Sequence, residues 1–182
     1  YLPDLSSSIE VDAVQLFNLD STNIEVEHWL AMAKAIEQHY ADYDGFVLCH
    51  GTDTMAYSSA ALSYLIQHSS KPIVLTGSQK PINLDSTDAR VNLRDAIRFA
   101  ADARAHDVNV VFQGKVICGT RVQKVRTKSY NAFDSVNYPL LATIQDERIA
   151  FYIDDKERQS ASVCFYSALD GAVGLFKLTP SL

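Results

Sequence analysis

The sequence predicts an α/β fold: a mostly parallel sheet with helices on both faces, of the Rossmann-like or flavodoxin-like kind, plus a β-hairpin. Three observations lead there. Short apolar runs alternate with stretches of helical periodicity up to about residue 118, and strand–helix–strand order implies parallel pairing with helical crossovers. Several apolar runs stop abruptly in polar residues, as strands do at the edge where open α/β sheets bind ligands. Gln113-Gly114 lies between two further apolar runs and reads as a hairpin turn.

Residues 1 to 10 carry no periodic pattern. Val11 to Asn18 reads as a first strand, ending in the polar tip Leu19-Asp20-Ser21-Thr22-Asn23. Val26, Trp29, Leu30, Ala33 and Ile36 recur at the spacing of one helical face. Asp42 to Gly45 then turns the chain into Phe46-Val47-Leu48-Cys49, four apolar residues read as a buried central strand. It stops at His50-Gly51, and a helix is expected from Met55 to Gln67 with Leu62, Leu65 and Ile66 inward. Ile73 to Leu75 is a strand that ends in Thr76-Gly77-Ser78-Gln79. Leu93, Ala96, Ile97 and Ala100 share one face of a helix from Val91 to Ala103, and Val108 to Phe112 and Val116 to Cys118 complete the hairpin. Gly119 to Tyr138 shows no clear period. Leu140 to Ile144, Ile149 to Ile153 and Val173 to Leu178 are strand-like.

Composition narrows the function. The chain has 182 residues, 47% of them hydrophobic, enough for the core of one domain, or of one domain and part of another. A net charge of −6 leaves no basic surplus for a nucleic-acid backbone. No apolar run reaches membrane-spanning length and no signal peptide opens the chain, so no membrane partner is expected. Cys49, Cys118 and Cys164 lack metal-ligand spacing, and the first two read as core thiols. The five histidines are also too scattered for a metal site. No glycine loop of the dinucleotide or nucleotide-triphosphate type occurs, so neither a metal nor any other cofactor is expected.

The chemistry concentrates in His50-Gly51-Thr52-Asp53-Thr54. Hydroxyls and a carboxylate between a strand and a helix are also what an N-cap prefers. One cap needs one oxygen, however, and here two threonines, an aspartate and a histidine share five residues. In a parallel sheet the tips Asp20-Ser21-Thr22, Thr52-Asp53-Thr54 and Thr76 to Gln79 lie on one edge and can converge. A threonine hydroxyl is a weak nucleophile and needs a base or a cation; Lys115, Arg121, Lys124, Arg126 and Lys128 are the cations available. The residues alone do not choose among them.

The segment Gly45-Phe46-Val47 through His50-Gly51-Thr52-Asp53-Thr54-Met55 resembles the signature of the bacterial-type L-asparaginases, cytoplasmic branch. So do Lys71 to Pro81, Asn92-Leu93-Arg94-Asp95-Ala96, Ala132-Phe133-Asp134-Ser135 and, with Trp29 behind it, Leu19 to Asn23. The resemblance implies hydrolysis of L-asparagine to L-aspartate and ammonia through a threonine acyl-enzyme. It assigns Thr52, Asp53 and Lys124 to the second catalytic group, with the lysine polarising the threonine and the aspartate holding the substrate's α-ammonium. Asp20, Ser21 and Thr22 correspond to the loop that grips the α-carboxylate and ammonium. Residues 1–175 are then the larger α/β domain without its first strand, which bears the nucleophilic threonine, and 176–182 begin a linker to a smaller domain. A homo-oligomer, dimer or tetramer, in the cytoplasm is expected, and the chain by itself is expected to be inactive. Two other readings stay open: the asparaginase-like subunit of a tRNA-dependent amidotransferase, and a fragment that binds amino acids without turnover.

Overall fold

The computed structural model describes residues 9–153 and 162–180; the irregular opening read for residues 1–8 and the final two residues of the expected linker lie outside them. The framework is a six-stranded sheet in the order β1-β3-β4-β5-β8-β9. Strands β1 (Phe46–Cys49), β3 (Ile73–Thr76) and β4 (Val108–Phe112) run parallel. Beyond them β5 (Lys115–Cys118), β8 (Ala142–Gln145) and β9 (Arg148–Phe151) continue antiparallel. The expected hairpin is present, with Gly114 at φ 70° in its turn, a conformation glycine takes without strain.

Alternation along the strands puts a core on each face. Ile73 and Leu75 pack with Leu62, Leu65 and Ile36 beneath helices α1 (Val26–His39) and α2 (Met55–Leu65). Val74, one residue out of step, packs with Ala96 and Phe99 of α3 (Ala89–Ala100) on the other face. Helices therefore cover both faces, as the strand–helix alternation requires. The end of α1 is tied to the strand that follows it in the sheet. Lys71 Nζ, just before β3, donates at 2.5 Å to the carbonyl of Tyr40, the C-cap of α1 whose acceptor the helix leaves free, and at 2.6 Å to that of Tyr43 in the loop beyond it.

Four expectations change. Val11 to Asn18 is not a strand: it pairs with nothing among the described residues, and Val11, Val14 and Leu16 are exposed. Apolar residues alone do not make a strand, because a strand exists only through the hydrogen bonds of a neighbour. Phe46–Cys49 is a true parallel strand but stands at the end of the sheet rather than its centre, so Cys49 is exposed instead of a core thiol. The patternless Gly119 to Tyr138 contains a small hairpin, β6 (Val122–Lys124) against β7 (Phe133–Ser135), with Lys124 opposite Phe133. Val173 to Leu178 has no strand partner among the described residues, and Leu175 is 96% exposed. A two-residue strand β2 (Ile66–Gln67) at the end of α2 pairs instead with β10 (Cys164–Phe165).

Between the open edge of β1 and the 9–19 segment lies a cleft of about 1400 Å³. Apolar Val47, Leu48 and Ile97 line it together with polar Asp12, Asp42, Asp44 and His50.

Candidate active site

Strand β1 ends at Cys49, and the chain leaves the sheet on a path with almost no freedom. The His50 N–H still donates to Thr76 O at 2.8 Å, extending the ladder by one bond. A Cβ on Gly77 would lie 2.1 Å from His50 O, and one on Gly51 would lie 2.5 Å from Ser21 Oγ. Both glycines are thus required by close approach, one from the β3 tip and one from the Asp20–Thr22 tip. Thr54 Oγ1 adds a hydrogen bond to Ser21 O at 2.6 Å. The convergence of strand-end tips is real, with one difference in how it arises: the Ser21 tip is a short 3-10 turn (Ser21–Asn23) docked on Gly51, not the end of a strand.

Of the five candidate cations, Lys124 is the one that reaches the threonine. Its Nζ donates to Thr52 Oγ1 at 2.8 Å and to Asp53 Oδ1 at 2.6 Å. The lysine side chain is only 15% exposed whereas Asp53 is 59% exposed, so the cation is sheltered and the carboxylate stays open to solvent. Lys115 is engaged elsewhere, near Phe133 O and Asp134. Arg121 lies over the Tyr138 ring and Arg126 bonds Asn131 O; Lys128 is exposed. Position on the β6–β7 hairpin decides the choice, because the hairpin carries Lys124 over the turn that follows β1.

The Thr52 hydroxyl has a defined direction. It donates to Gln79 Oε1 at 3.0 Å, while its lone pair receives Lys124. Gln79 cannot rotate its amide, because Nε2 donates to both Thr127 O and Ser129 O at 3.0 Å. Behind it, buried Asp88 accepts from the Gln79 and Lys80 N–H groups and from Asn92 Nδ2. An ammonium and an amide oxygen cannot take a proton from a threonine, so this arrangement holds Thr52 as a polarised hydroxyl rather than as a free nucleophile.

In the other tip, Asp20 Oδ1 accepts from both the Thr22 N–H and Thr22 Oγ1 at 2.8 Å. These bonds hold its carboxyl below the usual range and leave Oδ2 uncommitted. Ser21 is buried against Gly51. The six residues singled out from the sequence thus gather around one turn. Gln79 and the Asp88–Asn92 support were not singled out. Gln79 stood in a polar tip already noticed, but nothing in the sequence fixes which tip residue meets Thr52. His50 is buried, and burial pushes its imidazole below the ordinary value, partly opposed by its bond to the Gly51 carbonyl. Among the described residues no group of histidine, cysteine and acidic side chains could hold a metal, and no helix is long and apolar enough to cross a membrane.

The sequence and fold have close parallels. The family described as Asparaginase, N-terminal, matches residues 1–157. An L-asparaginase of Thermococcus kodakarensis is 39% identical over 174 residues, covering 95% of this chain and 52% of its own. The structure of the thermostable L-asparaginase from the same organism superposes with a TM-score of 0.84 at 38% identity, covering 88% of this chain and 48% of that one. A glutamyl-tRNA(Gln) amidotransferase subunit from Pyrococcus furiosus is 33% identical over 191 residues, covering 100% of this chain and 43% of its own. The chain spans about half the length of the first of these relatives, or less. With the family match and the fold in agreement, the chain belongs to the asparaginase family.

Proposed function

We propose that this chain is the larger α/β part of an amidohydrolase that releases ammonia from L-asparagine and leaves L-aspartate. The observation that supports it best is Lys124 Nζ bonded to both Thr52 Oγ1 and Asp53 Oδ1, beside the Ser21 tip. A zwitterionic amino acid needs an anion for its ammonium and donors for its carboxylate. Asp53 supplies the first, and the Asp20–Thr22 turn grips the carboxylate and ammonium together.

In this reading Thr52, Asp53 and Lys124 are the catalytic group, with Thr52 and Asp53 also binding substrate alongside Asp20, Ser21 and Thr22. The acylated hydroxyl is a threonine on a strand outside residues 1–182, seated along the open edge of β1. Its oxygen attacks the side-chain amide carbon, the C–N bond breaks as the hydroxyl's proton passes to the leaving nitrogen to give ammonia, and water then cleaves the ester, returning the hydroxyl and giving the carboxylic acid. Lys124 stabilises charge that develops on oxygen near Thr52, a role for a preorganised cation. Residues 1–175 form the larger domain and 176–182 lead to a smaller one; the whole works as a cytoplasmic homo-oligomer, without a cofactor.

One observation favours a second reading. The match to the amidotransferase subunit runs the full length of this chain, which allows ammonia release from glutamine to a partner. Ammonia release by the full-length protein, compared between asparagine and glutamine, separates the two. Preference for asparagine without a partner supports the hydrolase. Turnover of glutamine only with a tRNA-dependent partner would replace it, and binding of aspartate without any turnover would leave an amino-acid-binding protein.

A further inference from the structure

A buried chain of hydrogen bonds lies behind the site and has no part in the chemistry described so far. Trp29 Nε1 of α1 donates to Ser58 Oγ of α2 at 2.8 Å. Ser58 Oγ lies 2.8 Å from His50 Nε2, and His50 Nδ1 lies 2.7 Å from Gly51 O. Ser58 is fully buried and His50 nearly so. The directions of all three bonds follow from the groups at the ends. An indole N–H only donates and a carbonyl only accepts. Nδ1 therefore carries the imidazole proton. Ser58 Oγ receives the indole N–H, and among the described residues Nε2 is the acceptor left for the serine's own proton. A second imidazole proton, on Nε2, would take away the acceptor of the serine's own proton.

The chain ends on the peptide where the two halves of the site meet. Gly51 is the residue on which Ser21 is seated, with no room for a methyl group between them. On the opposite side Gly77 closes against the His50 carbonyl just as tightly. Trp29 belongs to the helix that follows the Ser21 tip, and Ser58 to the helix that follows Thr52 and Asp53. The relay thus links both helices to the one turn whose position sets the spacing between the tips. That spacing is what a small zwitterion would measure.

We propose that His50, Ser58 and Trp29 are positioning residues that hold the Gly51 peptide, and with it the separation of the Ser21 tip from Thr52 and Asp53, through a neutral imidazole protonated on Nδ1. Burial of the ring agrees with a neutral form. The consequence for turnover rests on the amidohydrolase reading; the protonation pattern does not.

The test uses the full-length protein with 15N-labelled histidine and long-range proton–nitrogen correlation at neutral pH. The His50 signals are those lost in His50→Gln. A neutral ring protonated on Nδ1 is expected, with its Nε2 signal shifted in Trp29→Phe, which keeps the aromatic packing and removes the N–H. A ring protonated on Nε2, or charged, overturns the proposal. In Trp29→Phe the KM for asparagine is expected to rise about tenfold while the melting temperature changes little. An unchanged KM overturns the positioning role, whatever happens to stability. Should the protein not turn over asparagine, the amidohydrolase reading fails by itself. The ring's protonation and the affinity for aspartate, measured by calorimetry in the same variant, then decide the relay.

Discussion

The turn from His50 to Thr54 and the segment from residue 9 to residue 18 face each other across one cleft, and both looked like parts of the sheet's working edge. The turn is held from every side: the Thr76 carbonyl, the Gly77 and Ser21 contacts, the Ser58 hydroxyl and the Lys124 ammonium each fix one atom of it. The segment is held at points only, by the Tyr43 hydroxyl on Asp12 at 2.9 Å and by Phe17 edge-on to His28 at 5.0 Å. Its apolar side chains are mostly exposed. The difference shows that a sheet edge is fixed by mutual satisfaction of polar groups, and that hydrophobicity without a partner strand leaves a wall rather than a sheet.

If the turn is the working part, its substitutions should dominate. Lys124→Met removes the cation that polarises Thr52 and is expected to lower turnover roughly 10²- to 10³-fold with ligand affinity nearly unchanged. Steady-state kinetics beside an aspartate titration checks it; near-normal turnover would return the lysine to a structural ion pair. Asp53→Asn removes the anion offered to the substrate ammonium and should weaken aspartate binding by about 2 kcal/mol, some 30-fold. Calorimetry that finds equal affinity would remove that role. Gly77→Ala forces a methyl group into the His50 carbonyl and should cost about 1–3 kcal/mol of stability, read as a melting temperature lower by several degrees.

The histidine in the turn gives a pH dependence with a definite sign. Its folded value lies below the ordinary 6.5. Between the two values the unfolded chain binds more protons, so stability rises with pH through that window and is complete above about 6.5. Melting curves of the natural sequence should show this slope, and His50→Gln should lose it. The smallest effect is expected across the cleft. Val14→Ser, at a side chain 78% exposed, should change the stability of residues 1–182 by less than about 0.5 kcal/mol. A larger loss would mean that the segment is packed after all, and the contrast between the two walls would fall.

How far these features were legible follows the same physics. The three helices and strands β1, β3 and β4 could be read because their patterns arise from burial against partners within the chain. Thr52 and Asp53 were legible as polar residues crowded at a strand end, where one cap does not explain them, and the Ser21 tip as a polar cluster, though as a strand end rather than the 3-10 turn it is. Lys124 was legible only through family resemblance, since its approach to Thr52 depends on a hairpin whose strands have just three residues each. Residues 11 to 18 misled because apolar content reports hydrophobicity and not pairing. Gln79, Ser58 and Trp29 were silent as partners, because a hydrogen bond across 27 to 29 positions leaves no local periodicity.

In the proposed function, Thr52, Asp53 and Lys124 act with an attacking hydroxyl that another strand supplies. Ammonia release from L-asparagine tests it most directly, first with this chain alone and then with a peptide carrying a glycine-threonine strand added to seat along β1. The account predicts no appreciable turnover alone and turnover restored by the peptide, with restoration abolished by Lys124→Met. Appreciable turnover by the chain alone would contradict it and require a nucleophile within Tyr1 to Leu182.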